Sequence, residues 1–191
     1  MQLFTTSTGV TVRVNTVTGA VDITAGHDRS ISDNGIREIS DGQQSIRLST
    51  MGSGSFYGAG ERGYSFNLAG DTLVMYNKQN YGYTAGDPRI KQMNITMPLF
   101  LSSNGYAVVF DDYAAANMSN PIVYITEAKE PVSYYFINSA GTLASLMPKL
   151  TTLTGHQPLP PLWSLGYITS KYGYRTQDET IGVVDTLKRS G

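Results

Sequence analysis

The sequence predicts an all-β fold, an antiparallel β-sandwich, followed by the first strand and helix of a larger (β/α)₈ barrel. Three observations predict it: a turn-rich composition, repeated hairpin signals, and a strand–loop–helix pattern in the last thirty residues. Charged residues make up 15% of the 191 residues, against roughly a quarter in typical domains, while glycine (20) and tyrosine (13) are abundant. This composition is typical of a β protein with polar, uncharged surfaces. It is compatible with neutral hydroxylated ligands, although a sandwich without any ligand would share it.

The first half of the sandwich is predicted from short β-forming runs. Residues 9–25 alternate β-forming side chains around Gly19, which indicates a hairpin. Residues 28–35 are polar and predict a loop. Two further short strands are predicted at 36–39 and 45–50.

The clearest hairpin joins residues 94–103 to residues 106–111. Asn104 and Gly105 between them can supply the positive φ angles of a two-residue type I′ turn. Pro98 cannot donate a ladder hydrogen bond, so we expect the first strand to lie at an edge there or to bulge. Later strands are predicted at 122–126 and 132–138.

A helical linker is predicted to end the first domain, which we place at residues 1–155. Within residues 141–153 the leucines recur at helical spacing. Pro148 interrupts this run and predicts a kink, or one helix that ends near Met147 and a second that begins at the proline. A proline-rich hinge then opens the second region, residues 156–191.

The second region has the pattern of one βα unit. Residues 163–170 are apolar, aromatic and β-branched, and predict a short buried strand in which Trp163 packs in a core. Thr176 and Glu179 form a Ser/Thr-x-x-Glu capping box that predicts the start of a helix. The apolar face of that helix is formed by Ile181, Val184 and Leu187.

One βα unit cannot bury both faces of its strand, because a parallel sheet needs further strands and a covering layer of helices. A (β/α)₈ barrel takes roughly 250 residues, so this unit is about one eighth of one. We therefore expect the chain to be the front portion of a longer enzyme. Trp163, Leu165 and Tyr167 should then be partly exposed or covered by other surfaces, and concentration-dependent dimerisation should be visible by sedimentation. Monomeric behaviour at high concentration would count against this prediction.

Composition also excludes several functions. The net charge of −1 gives no basic surface for nucleic acid, and no stretch approaches the ~20 apolar residues of a membrane span. No cysteine is present, so disulfide and thiolate chemistry are absent. His27 and His156 have no metal-ligand partners at useful spacing, so we expect neither metal nor cofactor. The start of the chain lacks the features of a signal peptide, which leaves the location undetermined, with the periplasm or secretion preferred for the parent protein.

Six short motifs follow one another along the chain. They are Phe-Tyr-Gly-Ala-Gly-Glu-Arg at 56–62, Met-Tyr-Asn-Lys-Gln at 75–79, Met-Pro-Leu-Phe at 97–100, Asn-Gly-Tyr-Ala-Val-Val-Phe at 104–110, Pro-Pro-Leu-Trp-Ser-Leu-Gly at 160–166 and Lys-Tyr-Gly-Tyr at 171–174. Together they resemble the N-terminal part of glycoside hydrolase family 31, in a Bacteroides-type form. Members of this family include α-glucosidases, α-xylosidases and related α-transglucosylases. The resemblance covers about residues 53–191, and the order of the motifs makes it specific.

The resemblance implies a galactose-mutarotase-like β-sandwich that leads into a (β/α)₈ catalytic barrel. It also implies retaining hydrolysis of α-linked gluco- or xylo-oligosaccharides by two aspartates about 5 Å apart. In the family both aspartates come from later barrel strands, so no catalytic residue is expected here and this chain alone should be inert. Its partners would be the α-linked substrate and the remainder of the barrel. Two alternatives stay open: a non-catalytic carbohydrate-binding sandwich, and a purely structural one.

The resemblance also implies a set of sugar-contacting residues. Tyr174 corresponds to a tyrosine that lines the −1 sugar pocket, although Lys171 stands where the family usually has arginine. Gln79 occupies the place of an aspartate at the end of a long loop, and Asp87 could replace that carboxylate. The implied substrate-binding set is Tyr174, Gln79, Lys78, Asp87 and Tyr81. The tyrosines of residues 76–83 could equally line a pocket or anchor the loop.

Other carboxylates have structural explanations. We expect Glu61 to pair with Arg62 or to cap backbone amides near the core. Asp111 and Asp112 are neighbours on a predicted strand and point to opposite faces, so they cannot form a converging acid pair.

Overall fold

A computed structural model describes residues 1–7, 9–25, 30–35, 37–50, 54–80, 86–139, 142–170 and 172–190. These residues form two compact units, Met1–Thr154 and Gly155–Gly191.

The first unit is built from β-strands. The described residues form thirteen of them: Gln2–Thr5 (β1), Val10–Val14 (β2), Val21–Ala25 (β3), Ser30–Asp33 (β4), Glu38–Ser40 (β5), Gln43–Thr50 (β6), Phe56–Gly58 (β7), Thr72–Met75 (β8), Leu99–Ser102 (β9), Tyr106–Asp111 (β10), Ala116–Ser119 (β11), Val123–Thr126 (β12) and Ser133–Asn138 (β13).

The strands form two antiparallel sheets. The larger sheet has the order β1-β2-β3-β4-β6-β12-β11-β8, with β5 also paired to β6, and the smaller sheet has the order β13-β10-β9-β7. Each observed pair is antiparallel, including β10 with β13 in the smaller sheet and β12 with β6 in the larger one. The predicted antiparallel sandwich is confirmed.

The core lies between the two sheets. Alternation places Leu73 and Met75 of β8 inside, at 2% and 4% exposure, while the residues beside them face outward. Phe110 of the smaller sheet stacks on Tyr124 of the larger sheet, with ring centroids 4.1 Å apart. Such a pair contributes about 0.5–1.5 kcal/mol beyond its area burial. The aromatic contact is therefore one of several packing interactions that hold the two sheets together.

The N-terminal hairpin forms as predicted, with β2 and β3 joined by a turn that contains Gly19. The prediction of a polar loop over 28–35 is wrong for its second half, since residues 30–33 form β4. Ile31 is only 3% exposed, and β4 pairs with both β3 and β6. A single buried isoleucine among polar residues gave too weak a sequence signal for this strand.

The connection between β9 and β10 differs from the predicted type I′ turn. Ser102 pairs with Tyr106, which leaves a three-residue loop rather than a two-residue one. Gly105 has φ +79°, whereas Asn104 is not in the positive-φ region, and the Gly105 amide donates to the Ser102 carbonyl at 3.0 Å. One positive φ angle at the third loop position is enough for this longer hairpin. Pro98 lies just before β9, where no ladder amide is required.

The predicted helical linker forms as one helix, Leu143–Thr154 (α1), with Pro148 inside it. Of the two predicted alternatives, a kink or a division into two helices, the division is therefore wrong. Leu146 and Leu150 are buried, at 0% and 7% exposure, and their packing retains the helix despite the missing amide donor.

The second unit contains a 3₁₀ turn, Leu162–Leu165, and a helix, Gln177–Arg189 (α2). The predicted strand at 163–170 is wrong: Trp163 is 82% exposed. A strand needs a hydrogen-bonded neighbour, and in the described part of this unit no other strand is present to pair with. Among the described residues, no helix is long and apolar enough to cross a membrane.

The predicted N-cap Thr176 is confirmed at the start of α2, and Glu179 reaches back to the amide one residue before it. The Glu179 amide donates to Thr176 Oγ1 at 3.1 Å, and the Glu179 carboxylate accepts the Arg175 amide at 3.1 Å. The exposure predicted for Trp163, Leu165 and Tyr167 is also observed. Dimerisation through these side chains stays a prediction.

Candidate functional site

The segment after β7 makes an unusual backbone turn. Gly58, Ala59 and Gly60 have successive positive φ angles of 101°, 61° and 86°. A Cβ atom on Gly60 would lie 2.2 Å from the Ile95 carbonyl oxygen, so this position excludes any side chain. Ala59 is fully buried in the core cluster, which explains why a methyl group stands between the two glycines. The turn brings residues 61 and 62 against the base of the loop that follows β8.

Arg62 joins the two ends of that loop. Its guanidinium donates to the carbonyl oxygens of Ala59 (3.1 and 3.2 Å), Val74 (2.9 Å) and Lys91 (2.6 Å). Val74 lies in β8 before the loop and Lys91 lies near its far end. Burial lowers the pKa of Arg62, although an arginine remains protonated at neutral pH. Arg62, the last residue of the Gly-Ala-Gly-Glu-Arg motif, therefore has a structural role: it links β8 to the far end of the loop.

Amide side chains hold the described parts of the loop, residues 76–80 and 86–93. Asn77 Oδ1 accepts from the amide of Thr96 at 2.6 Å and from its hydroxyl at 2.9 Å. The Asn80 amide donates to Asn94 Oδ1 at 2.8 Å, and its side-chain nitrogen donates to the carbonyls of Arg89 and Gln92. Asn80 is 8% exposed. These contacts give the loop a fixed base on both sides of Lys78 and Gln79.

Asp87 has a structural role in the second limb of the loop. It caps the 3₁₀ turn Pro88–Lys91 by accepting the Arg89 amide at 2.9 Å, and it forms an ion pair with the Arg89 guanidinium at 2.5 Å. The bonds from Arg89 lower the pKa of Asp87 to about 2, so the carboxylate is ionised at neutral pH. The carboxylate of Asp87 is therefore occupied within the 3₁₀ turn. Its sugar contact stays a prediction.

The remaining predicted site residues fall into three groups. Lys78 and Gln79 are exposed, and their side chains have no hydrogen-bond partner among the described residues. Tyr174 belongs to the second unit and is 36% exposed. Tyr81 and Lys171 lie outside the described residues, as do Tyr83 and His27. Lys78, Gln79 and Asp87 thus belong to one loop of the first unit, between β8 and β9.

The other carboxylates are held by structural contacts. The Glu61 carboxylate accepts the Asn94 amide at 3.2 Å, which agrees with the capping alternative, whereas Arg62 binds carbonyls instead of pairing with Glu61. Asp112 accepts from the hydroxyls of Tyr124 (2.9 Å) and Thr126 (2.5 Å), and burial together with this carboxylate raises the pKa of Tyr124. Asp111 receives a long bond from the Tyr135 hydroxyl at 3.4 Å. The two aspartates therefore have different partners.

A cavity of about 280 Å³ opens beside the first residues of the loop. Tyr76 and Tyr113 line it with largely exposed rings, and Asn77 and Asp112 contribute polar groups. Aromatic faces beside hydrogen-bonding groups can hold a sugar ring. Sequence reasoning missed Tyr113, because nothing in its neighbourhood indicates that it meets residues 76–77.

The fold and the loop together place the protein in a class: antiparallel β-sandwich domains with a polar loop that side-chain hydrogen bonds hold in place. Comparison with known proteins gives the family. Residues 3–118 match the family described as the glycosyl hydrolase 31 N-terminal galactose mutarotase-like domain. The chain belongs to this family, as the motif order indicates.

Individual relatives agree with this assignment. The chain is 26% identical over 174 residues to an α-glucosidase of Saccharolobus solfataricus, covering 86% of the chain and 24% of the relative. It is 31% identical over 136 residues to an α-xylosidase of the same organism, covering 68% and 18%. The chain thus spans a quarter or less of these relatives.

Among solved structures, a family 31 dextranase of Flavobacterium johnsoniae in complex with glucose matches 98% of the chain with a TM-score of 0.78. The sequence identity is 20%, and the match covers 24% of the dextranase chain. A xylosidase from Aspergillus niger matches 97% of the chain and 26% of its own, with a TM-score of 0.65 and 23% identity. At these identities the likeness establishes the fold.

Proposed function

We propose that this chain is the N-terminal portion of a retaining α-glycoside hydrolase that acts on α-linked gluco- or xylo-oligosaccharides. The chain would supply scaffold and a substrate-pocket loop, while the catalytic carboxylates would come from elsewhere in the protein. Family membership and the names of the α-glucosidase and α-xylosidase relatives support this proposal.

One observation carries the role of the loop: Lys78 and Gln79 are exposed between two anchored asparagines. Asn77 is bonded to Thr96 and Asn80 to Asn94, so the two residues between them have little freedom to move away. Because the residues on both sides are already anchored, binding a sugar hydroxyl here would cost little backbone entropy, and only the side chain would have to be ordered. Gln79 offers both a donor and an acceptor for that contact. We also propose Tyr174 of the second unit as a sugar-binding residue, as the family resemblance implies.

The test uses the full-length polypeptide that carries this chain. In it, Gln79→Ala should raise KM for maltose, isomaltose or an α-xyloside about tenfold with a smaller change in kcat, as expected for losing about 1–1.5 kcal/mol of hydrogen bonding. Gln2→Ala is a matched control, because Gln2 is an exposed glutamine in β1, at the opposite end of the larger sheet from β8. Steady-state kinetics on both variants measure the difference.

Two results would contradict the proposal: equal effects of the two substitutions, or hydrolysis by residues 1–191 alone.

The second candidate, a carbohydrate-binding sandwich without catalysis, is favoured by the exposed rings of Tyr76 and Tyr113 beside their cavity. Calorimetry separates the two. This candidate would be supported if residues 1–191 bind sugar with measurable heat and Tyr113→Ala abolishes that heat. The full-length protein should then show no turnover.

A further inference from the structure

A second cavity, of about 330 Å³, has a concentration of positive charge. Of the described residues that line it, four are cationic and none is a carboxylate, although the chain as a whole has a net charge of −1. The lining residues are Arg62, Thr72, Val74, Lys78, Asn80, Pro88, Arg89, Lys91 and Gln92. The charge of this cavity is therefore opposite in sign to that of the chain.

Within the described residues, three of the four cations have no carboxylate partner. Arg62 uses four of its five donor hydrogens on backbone carbonyls. The Lys91 ammonium lies 5.7 Å from the centre of the Tyr64 ring, which is a cation–π contact. Lys78 is exposed, and Arg89 alone has an ion pair, with Asp87.

This arrangement favours an anion on electrostatic grounds. Like charges around a cavity with low-dielectric walls focus a positive potential within it. Arg62 is partly buried, and its guanidinium is bonded to carbonyl oxygens rather than to a carboxylate. The charges of Arg62, Lys78 and Lys91 would all attract an entering oxyanion. The two ammonium groups would supply the strong bonds, since Arg62 has one donor hydrogen left.

The size of the cavity limits the ligand. Small-molecule pockets generally range upward from about 300 Å³, so this cavity suits one monosaccharide-sized group. Thr72 adds a hydroxyl to the lining that could bond a sugar hydroxyl.

We propose that this cavity binds an acidic sugar, through a carboxylate or sulfate group carried on a hydroxylated ring. The inference goes beyond the proposed function, because it concerns an anionic ligand rather than a neutral oligosaccharide, although the cavity shares Lys78 and Asn80 with the proposed substrate loop. It is tested by binding to residues 1–191, so its failure is distinguishable from a failure of the hydrolase assignment.

Isothermal titration calorimetry with glucuronate, glucose 6-sulfate, glucose and inorganic sulfate is the direct test. We expect the two acidic sugars to bind and glucose not to bind. Lys78→Ala and Lys91→Ala should each weaken glucuronate binding about tenfold, as expected for losing one charge-assisted bond. Lys129→Ala removes the same charge from a lysine that bonds the Gly42 carbonyl and does not line the cavity, and it should leave binding unchanged. Raising the salt from about 10 to about 150 mM should weaken binding, since screening shortens the Debye length to about 8 Å.

Inorganic sulfate binding as tightly as the acidic sugars would mean an adventitious ion only and would overturn the proposal. Glucose binding as tightly as glucuronate, no binding by either acid, or an equal loss in Lys129→Ala would overturn it too. Thr72→Glu provides a second check that does not depend on lysine removal: a carboxylate beside the cavity should abolish glucuronate binding while the circular dichroism spectrum is kept.

Discussion

Gly60→Ala is expected to lower the free energy of unfolding by about 2–4 kcal/mol, whereas Gly70→Ala should lower it by about 1 kcal/mol. The two glycines have nearly identical backbones, with φ of +86° and +85°. The cost of placing alanine in the positive-φ region is therefore the same. They differ in space: a Cβ on Gly60 would lie 2.2 Å from the Ile95 carbonyl oxygen and 2.7 Å from Thr96 Cα, while a Cβ on Gly70 meets nothing within 4 Å.

Chemical denaturation of the two variants and the parent chain measures this difference directly. Because Ile95 and Thr96 precede β9 and bond Glu61 and Asn77, the clash should also loosen the loop, seen as faster proteolysis within residues 76–93. Equal losses of stability in the two variants would show that the turn can shift away from Ile95, and that its glycine is needed for φ alone.

The sandwich was predictable wherever a strand pattern and its turn lay close together in sequence. The hairpin of β2 and β3 needs only residues 10–25, and that of β9 and β10 only residues 99–111. β4 was missed because Ile31 is one apolar side chain among polar ones, and because one of its two partner strands, β6, lies 15 to 19 residues away along the chain.

The loop was predictable as a functional segment but not in its construction. The resemblance identifies residues 75–79, yet the contacts that hold them come from distant positions, since Thr96 bonds Asn77 across 19 residues and Lys91 bonds Arg62 across 29. No local periodicity encodes such contacts. One available signal is the row of amide residues in the segment, because amides that anchor backbone are typical of ordered loops.

The second unit shows the limit of strand propensity. Residues 163–170 have the composition of a strand, but strand formation requires hydrogen bonds from a neighbouring strand. The N-cap of α2 is local, with Thr176 and Glu179 three residues apart, and it was predicted correctly.

Arg62→Met is expected to lower the free energy of unfolding by about 3–5 kcal/mol and to release both ends of the loop. The substitution keeps a flexible side chain of similar length but removes the donors that bond the carbonyls of Ala59, Val74 and Lys91. Each hydrogen bond from a charged donor contributes about 1.5–3 kcal/mol, and relaxation with entry of water recovers part of the loss. Arg13→Met is the matched control, because Arg13 is an exposed arginine in β2; it should change stability by less than about 0.5 kcal/mol.

Arg62→Lys separates charge from geometry. An ammonium group carries the same charge but lacks the planar fork that reaches carbonyls on three segments. Arg62→Lys should therefore recover less than half of the stability lost in Arg62→Met. Full recovery would mean that the charge, rather than its directed bonds, joins β8 to the far limb of the loop.

Gly60 and Arg62 act on the same segments, so their substitutions should not be additive. Once Gly60→Ala has displaced the turn from Ile95, Arg62 can no longer reach all three carbonyls, and its removal costs less. We expect Gly60→Ala with Arg62→Met to lose at least 1 kcal/mol less than the sum of the single losses, by about the coupling found for residues in one network. Additive losses would mean that the turn and the arginine stabilise the loop independently. Gly60 and Arg62 would then meet two separate structural requirements within the motif at 56–62.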